Sequence, residues 1–180
     1  MRGIAILLML SISAVTLQAQ SVNFGKNSII YLVRHAEKGT GADPLLTTAG
    51  NKRAGDLMRV LQNKNIRRIY VTEYKRTQNT GDSLRIGQQV DTVHYFADTA
   101  FSDLLNKIRF HKDLDNTILI IGHSNTIPLI IRKLGLTDYA AESIADKEFD
   151  NLYIITRKGE SAIVTKVKYG DASAESATMH

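Results

Sequence analysis

The sequence predicts an α/β fold, a three-layer α/β/α sandwich in which a mainly parallel sheet ends in a C-terminal antiparallel hairpin. Short β-branched runs alternate with segments of helical periodicity, and the last two strand-like runs are separated by one tight turn. The chain of 180 residues is long enough to bury a core without disulfides. With 43% hydrophobic and 23% charged residues, its composition excludes disorder, collagen and coiled coils.

The absence of cysteine excludes several classes of functional site, and the net charge indicates the kind of partner. The chain contains no cysteine, which excludes zinc fingers, iron–sulfur clusters and thiol nucleophiles. Its net charge of +5 suits an anionic small molecule or an anionic polymer. The basic residues are dispersed among acidic neighbours and no aromatic stacking motif is present, so we do not expect nucleic acid as a partner.

The first 19 residues have the layout of a secretory signal peptide. Arg2 gives a positive start, Ile4 to Leu10 form an apolar run, and the small Ala19 marks the expected cleavage site. The run is short for a membrane span, which needs roughly 20 apolar residues. We therefore expect cleavage of residues 1–19, one domain over residues 20–180, and an exported protein, periplasmic or secreted, without stable membrane insertion. The alternatives are retention of the segment as a membrane anchor and a buried N-terminal helix.

Two predicted strands and a helix come first in the mature chain. Ser28 to Val33 and Arg68 to Thr72 are short apolar runs typical of buried strands. From Thr47 the pattern becomes helical. The apolar face of this helix carries Ala54, Leu57, Met58 and Leu61, and the face predicted to meet solvent carries Lys52, Arg53, Asp56 and Arg59. A short helix over Lys75 to Leu84 and a strand over Gln89 to Phe96 follow.

The next predicted elements are a helix, a buried strand and a second helix. Asp98 or Thr99 is expected to cap the first of these helices. Its apolar face carries Phe101, Leu104, Leu105 and Ile108. Thr117 to Ile121 is the buried strand, and Pro128 is acceptable in the first turn of the helix after it.

The C-terminal part predicts a hairpin followed by a tail. Leu152 to Thr156 and Ala162 to Val167 form its two strands, and Lys158-Gly159 forms the turn. The residues from Asp171 to His180 are small and polar, and we expect them to be frayed.

Charged and imidazole side chains follow three of the predicted strands. The first strand runs into Arg34 and His35, the second into the segment with Arg76, and the fourth into His123 and Ser124. Parallel strands bring such residues to one edge of the sheet, where ligands bind. Guanidinium groups, imidazoles and helix N-termini all favour anions. Each feature alone is weak evidence, but their combination at successive strand ends predicts an anion site.

Four segments resemble, in order, the motifs of the histidine phosphatase superfamily, the phosphoglycerate-mutase-like fold. They read LVRHAEK, LLTTAG, VTEYKRTQNT and IIGHSNTIP. They are similar to an Arg-His-Gly box, a Leu-Thr-x-x-Gly helix start, a Ser-x-x-x-Arg-Thr-x-x-Thr segment and a Gly-His box. The resemblance covers residues 29 to about 134, in a short chain without an insertion for a capping domain. Ala36 replaces the usual Gly and Thr72 the frequent Ser.

The resemblance implies a role for each of these side chains. His35 is similar to the nucleophile that becomes phosphorylated, and Arg34 and Arg76 to the phosphate clamps. His123 is similar to the second histidine at the transferring phosphoryl group, and Ser124 is expected to bind substrate. The implied activity is hydrolysis of a phosphomonoester through a phosphohistidine, which is covalent catalysis.

The residue types fit phosphoryl transfer. The reaction needs an in-line nucleophile and positive charge around three equatorial oxygens. Arg34 and Arg76 supply this charge, and they disfavour protonation of His35, whose unperturbed pKa is about 6.5. His123 can donate a hydrogen bond where charge develops. No metal or other cofactor is expected, because the remaining histidines are scattered and are interpreted as ordinary surface or strand residues: His94, His111 and His180.

No sequence motif identifies the residue that donates a proton to the leaving oxygen. Asp98 is the first candidate, and a purely capping role is its equal alternative. Glu37 is the second candidate, and pairing with Lys38 is its alternative. Two further carboxylates are weaker candidates, Glu73 and Asp103.

Several functions remain to be distinguished. We expect a phosphatase rather than a mutase, because no insertion can close the pocket over a phosphoenzyme. The substrate is either a phosphorylated small molecule or a phosphoprotein, with phosphohistidine as one candidate. A phosphate-binding pseudophosphatase without turnover is the non-enzymatic alternative. An α/β-hydrolase is excluded, because Thr126 stands where a nucleophile elbow has Gly.

Overall fold

The computed structural model describes residues 24–141, 143–158 and 161–173 of the chain. The predicted signal peptide, Gly159 and His180 lie outside these residues. The described part of the chain contains six strands in one sheet: β1 (Ile29–Arg34), β2 (Arg68–Thr72), β3 (Asp91–Tyr95), β4 (Thr117–Gly122), β5 (Asn151–Lys158) and β6 (Ser161–Lys168). Its helices are α1 (Thr48–Leu61), α2 (Lys75–Gln88), α3 (Ser102–Phe110) and α4 (Thr126–Lys133), with one turn of 3-10 helix at Asp113–Asp115.

The sheet is mixed, with the strand order β3-β2-β4-β1-β5-β6. Strands β1 to β4 run parallel to one another, whereas β5 is antiparallel to β1, and β6 to β5. At the carboxyl edge, Arg34 at the end of β1 is in register with Gly122 at the end of β4. The predicted fold class is therefore confirmed, including the antiparallel C-terminal hairpin.

Helices cover both faces of the sheet because successive side chains of a strand point to opposite sides. On one face, Ile30 and Leu32 of β1 belong to the core that includes the apolar residues of α3 and α4. On the other face, Tyr31 and Val33 belong to the core that includes residues of α1 and α2. None of the helices in the described ranges is long and apolar enough to cross a membrane.

Helix α1 begins after Thr47, whose Oγ1 accepts a hydrogen bond from the N–H of Gly50 at 3.1 Å. The prediction that Arg53 faces solvent is wrong, because its side chain is only 5% exposed. Its guanidinium contacts both carboxylate oxygens of Glu37 at 2.7 to 3.0 Å and also donates to the carbonyl of Tyr169 at 3.2 Å. Helical periodicity could not foresee this burial, because the partners come from outside the helix.

Helix α2 is longer than predicted and α3 begins differently. Helix α2 continues beyond Leu84 to Gln88, and Gln89, with φ of 54°, ends it. The N-cap residue of α3 is Phe101, so the prediction that Asp98 or Thr99 caps this helix is wrong. The carboxylate of Asp98 instead accepts a hydrogen bond from the N–H of Phe101 and closes the turn before the helix.

The expectation of a frayed tail is wrong for its first residues. Asp171 accepts a hydrogen bond from Nζ of Lys52 at 2.7 Å. Ser173 is buried, and its Oγ accepts from the N–H groups of Phe149 and Asp150 at 2.8 and 3.1 Å. These bonds fix the chain just before β5. Residues 174–180 lie outside the described part of the chain.

Candidate active site

A cavity of about 380 Å³ opens at the carboxyl edge of the sheet. Its lining includes all the side chains predicted to bind or transform phosphate: Arg34, His35, Arg76, His123 and Ser124. The parallel strands β1 and β4 bring the two histidines to this edge, and their ring centroids are 5.4 Å apart. The structure therefore brings these five side chains together around one cavity.

His35 is held at the end of β1 with its ring largely buried. Its backbone N–H donates to the carbonyl of Gly122 at 2.9 Å, and its Nδ1 lies 2.8 Å from the carbonyl of Ala36. Because a carbonyl only accepts, Nδ1 carries the proton and Nε2 keeps its lone pair. Burial lowers the pKa of His35 to about 3, although the bond to Ala36 opposes that shift. The imidazole is thus neutral at neutral pH.

The residues around His35 explain two features of its motifs. The N–H of Ala36 donates to Oγ1 of Thr80 at 2.9 Å, which ties the loop after β1 to α2. Ala36 is fully buried in a small cluster with Leu46 and Ala54, so its methyl group is accommodated where the family pattern has Gly. Gly50 in α1 is required, because a Cβ there would lie 2.1 Å from the carbonyl oxygen of Glu37.

His123 follows β4 and is 8% exposed. Its backbone N–H donates to Oγ1 of Thr126 at 2.9 Å, and its Nε2 lies 3.2 Å from Oγ1 of Thr72. Thr72 thus supplies its hydroxyl to the second histidine from the end of β2. Burial, together with the charges of Arg76 and Arg34, lowers the pKa of His123 to about 4.

Arg34 is 7% exposed and is held by the irregular chain before β5. Its Nη1 donates to the carbonyls of Ala145, Asp146 and Glu148 at 2.8, 3.0 and 3.3 Å. The ring of Phe149 stacks on the guanidinium, with 4.2 Å between Cζ and the ring centroid. We call residues 144–149 the arginine strap. Sequence analysis missed the strap, because it contains neither a motif nor a periodic pattern.

Arg76 lies in the first turn of α2. Its guanidinium stacks on Tyr74, with Cζ 4.1 Å from the ring centroid, and lies 4.0 Å from the carboxylate of Asp43. The Nε atoms of Arg34 and Arg76 are both buried and have no hydrogen-bond partner among the described residues. Buried donors without partners are rare, so two of them beside one cavity indicate a site for an acceptor-rich ligand. A tetrahedral oxyanion meets that requirement.

The two predicted acids do not line the cavity. The carboxylate of Asp98 is turned to the N–H of Phe101. The carboxylate of Glu37 is paired with Arg53 rather than with Lys38. The weaker candidates are also engaged elsewhere, since Glu73 accepts from Ala97 and Asp103 from Phe96. Asp146 of the strap is the carboxylate that lines the cavity among the described residues.

The remaining histidines lie outside the cavity lining. His94 is exposed on β3, and His111 follows α3. His180 is outside the described residues. Within residues 24–141, 143–158 and 161–173, no group of three or more histidine and acidic side chains is arranged to hold a metal ion.

The fold and the site define an α/β protein with a histidine-containing anion cavity at the carboxyl edge of its sheet. A family model described as the histidine phosphatase superfamily (branch 1) matches residues 30–107, which include His35 and Arg76. This is the family that the four motifs resemble, and over residues 30–107 the chain is similar to the histidine phosphatase superfamily. His123 lies beyond the matched residues, and its place in the site rests on the geometry at the end of β4.

Solved structures with the same fold include three phosphatases. The alpha-ribazole phosphatase from Shigella flexneri has 14% identity and a TM-score of 0.60, with 78% of this chain and 96% of that chain covered. The protein histidine phosphatase SixA complexed with tungstate has 14% identity and a TM-score of 0.56, with 78% of this chain and 96% of that chain covered. A variant phosphoserine phosphatase from Entamoeba histolytica with phosphoserine has 14% identity and a TM-score of 0.52, covering 79% and 96%. No curated protein sequence matches this chain.

Proposed function

We propose that the protein is a phosphomonoester hydrolase that acts through a phosphohistidine on His35. The observation that carries this proposal is the unprotonated Nε2 of a buried, neutral His35 in the same cavity as two arginines whose Nε donors have no partner. The match of residues 30–107 to the family model of the histidine phosphatase superfamily supports phosphatase activity. The tungstate complex of SixA, which has the same fold, supports a tetrahedral oxyanion as the ligand.

The first transfer uses the lone pair of His35. Nε2 attacks phosphorus, the bond from phosphorus to the leaving oxygen breaks, and the phosphoryl group moves to the imidazole. Arg34 and Arg76 bind the equatorial oxygens. Because the strap occupies Nη1 of Arg34, its Nε and Nη2 are the donors left for the phosphoryl group.

The second transfer releases phosphate. A water oxygen attacks phosphorus, the bond to Nε2 breaks, and the electron pair returns to His35. The arginines and His123 stabilise the charge of this transition state as they do in the first. The bond from Nδ1 to Ala36 keeps the ring in one orientation throughout.

Rapid-quench labelling tests this proposal. With an aryl [³²P]phosphate, the purified protein should form an acid-labile, base-stable phosphoenzyme and then release phosphate at steady state. His35→Ala should abolish both signals while the fold remains intact. The matched control is His94→Ala, since His94 is exposed and outside the cavity lining. Binding of phosphate without any release would instead identify a pseudophosphatase, and full activity in His35→Ala would refute the assignment.

A phosphohistidine-bearing protein is a second candidate substrate. It is favoured by the likeness in fold to the protein histidine phosphatase SixA. A screen of phosphomonoesters beside an acid-labile phosphoprotein, with kcat/KM as the readout, separates the two substrates.

We also propose that the protein is exported after cleavage following Ala19, on the basis of the charged, apolar and small residues of the N-terminal segment. Mass spectrometry of the N-terminus in separated cell fractions tests this. A chain that begins at Gln20 outside the cytoplasm is the expected result. An intact Met1 in the cytoplasmic fraction would contradict it.

A further inference from the structure

We propose that Asp146, presented by the arginine strap on the cavity wall, is the catalytic acid that protonates the leaving oxygen. This inference rests on the proposed function and assigns the proton donor that the motifs do not supply. Asp146 is exposed, so its carboxyl group can exchange protons with water between turnovers. It also lines the same cavity as His35.

The strap fixes the backbone of Asp146 beside the phosphate clamp. The carbonyl of Asp146 accepts from Nη1 of Arg34 at 3.0 Å, and the carbonyls of Ala145 and Glu148 bind the same nitrogen. The N–H of Ile144 donates to the carbonyl of Ser124 at 3.0 Å, which ties the strap to the turn after β4. One backbone segment therefore orients an arginine of the site and carries a carboxyl group on the cavity wall.

The other nearby carboxylates are held by different partners. Glu37 is bound by Arg53 through both oxygens, and Asp98 accepts from the backbone of Phe101. Asp43 accepts from the N–H of Lys75 at 3.0 Å and is not part of the cavity lining. Among the described residues, Asp146 is thus the carboxyl group available on the wall.

The proton balance closes over the two transfers. In the first, the proton of the Asp146 carboxyl group moves to the leaving oxygen as its bond to phosphorus breaks, which releases an alcohol. In the second transfer, the Asp146 carboxylate takes a proton from the attacking water. The oxygen of that water forms a bond to phosphorus, the bond from phosphorus to Nε2 of His35 breaks, and phosphate leaves. The carboxyl group is then ready for the next substrate.

The test compares leaving groups in Asp146→Asn. Rates of phosphoenzyme formation are measured by rapid quench with an alkyl phosphate and with an aryl phosphate whose phenol is acidic. General acid catalysis contributes roughly 10²–10⁴-fold, so the alkyl rate should fall by about that factor. The aryl rate should fall only a few-fold, because a phenolate leaves without a proton.

The matched control is Asp138→Asn, which removes the same charge from an exposed residue outside the cavity lining. It should leave both rates unchanged. Equal slowing of both substrates by Asp146→Asn, or no slowing, overturns the assignment of the acid while the phosphoenzyme still forms. Failure of the unmodified protein to form any phosphoenzyme overturns the proposed function itself.

The pH profile gives a second readout. If Asp146 is the acid, the alkyl phosphate profile should lose its basic limb in Asp146→Asn, and Asp146→Glu should restore part of the alkyl rate. A variant that keeps the basic limb would show that Asp146 acts only through the charge it places near Arg34, which overturns the proposal.

Discussion

The two sides of the cavity are built in different ways. On one side, His35 and His123 stand at the ends of β1 and β4. The backbone N–H of His35 donates to the carbonyl of Gly122 at 2.9 Å, and that of His123 donates to Oγ1 of Thr126 at 2.9 Å. On the other side, the arginine strap has neither helix nor strand, and it is held through Arg34 and Phe149. The two imidazoles thus lie on the side of the cavity that is built from strand ends.

This difference separates two demands of phosphoryl transfer. A nucleophile must be placed closely in line with the phosphorus. The end of β1 places His35, and the hydrogen bond from Ala36 to Oγ1 of Thr80 supports the loop that follows. The clamp and the proton donor must suit the substrate, and the strap can vary for that purpose without disturbing the sheet. The strap is linked to the rest of the fold by Ser173, which accepts from the N–H of Phe149.

Removal of either arginine of the clamp, Arg34 or Arg76, should lower kcat/KM more than the other changes considered below. We expect Arg34→Ala and Arg76→Ala each to cost ~2–4 kcal/mol of transition-state stabilisation, the range for one lost oxyanion donor. The quantity to measure is kcat/KM, with Arg109→Ala as the control, because Arg109 is exposed on α3. Because carbonyls of the strap bind Arg34 and none binds Arg76, Arg34→Ala should lower the free energy of unfolding more than Arg76→Ala does. Equal stability of both variants would show that the strap does not depend on Arg34.

Loss of the stacking of Phe149 on Arg34 should lower kcat/KM less than loss of either arginine does. Phe149→Ala removes a cation–π contact of about 1 kcal/mol and leaves every polar group of the clamp in place. We expect kcat/KM to fall roughly fivefold, mainly through kcat, because the guanidinium is less well oriented. Phe110→Ala is the control, since Phe110 is 81% exposed and outside the cavity lining. A rise in KM alone would place Phe149 in substrate binding instead.

These two regions also differ in how far the sequence could predict them. Short β-branched runs and strand-end motifs predicted β1, β2 and β4, and the parallel arrangement then implied that Arg34, His35 and His123 meet. No such rule applies to the strap, because its order comes from hydrogen bonds to a distant arginine. The burial of Arg53 and of Ser173 was missed for the same reason, since each depends on partners that are remote in the chain.

The two buried histidines at the strand ends, His35 and His123, should make the free energy of unfolding depend on pH. Burial lowers the pKa of His35 to about 3 and that of His123 to about 4, whereas both titrate near 6.5 in the unfolded chain. Between these values the unfolded state binds more protons, so the free energy of unfolding falls as pH drops below about 6.5. Each histidine contributes at most ~1.4 kcal/mol per pH unit.

Urea unfolding between pH 7.5 and 4.5 measures this slope. His35→Gln should reduce it, because the variant has one fewer buried group to protonate. His94→Gln should leave it unchanged, since His94 is exposed. An unaltered slope in His35→Gln would mean that the folded imidazole is already an imidazolium with a second proton on Nε2, which would also remove the argument for a free Nε2.

Removal of metal ions by a chelator should leave the rate of phosphate release unchanged. Among the described residues, the cavity wall carries the cations Arg34, Lys38 and Arg76 against one carboxylate, Asp146. We therefore expect its field to repel cations and to attract a phosphoryl dianion directly. The two guanidinium groups supply the positive charge that a divalent ion would otherwise bring to the equatorial oxygens. Rates of phosphate release should therefore be equal before and after dialysis against EDTA. A loss of activity that Mg²⁺ or Zn²⁺ restores would show that the clamp is incomplete without a metal, and the acid assigned to the strap would then have to be reconsidered as a metal ligand.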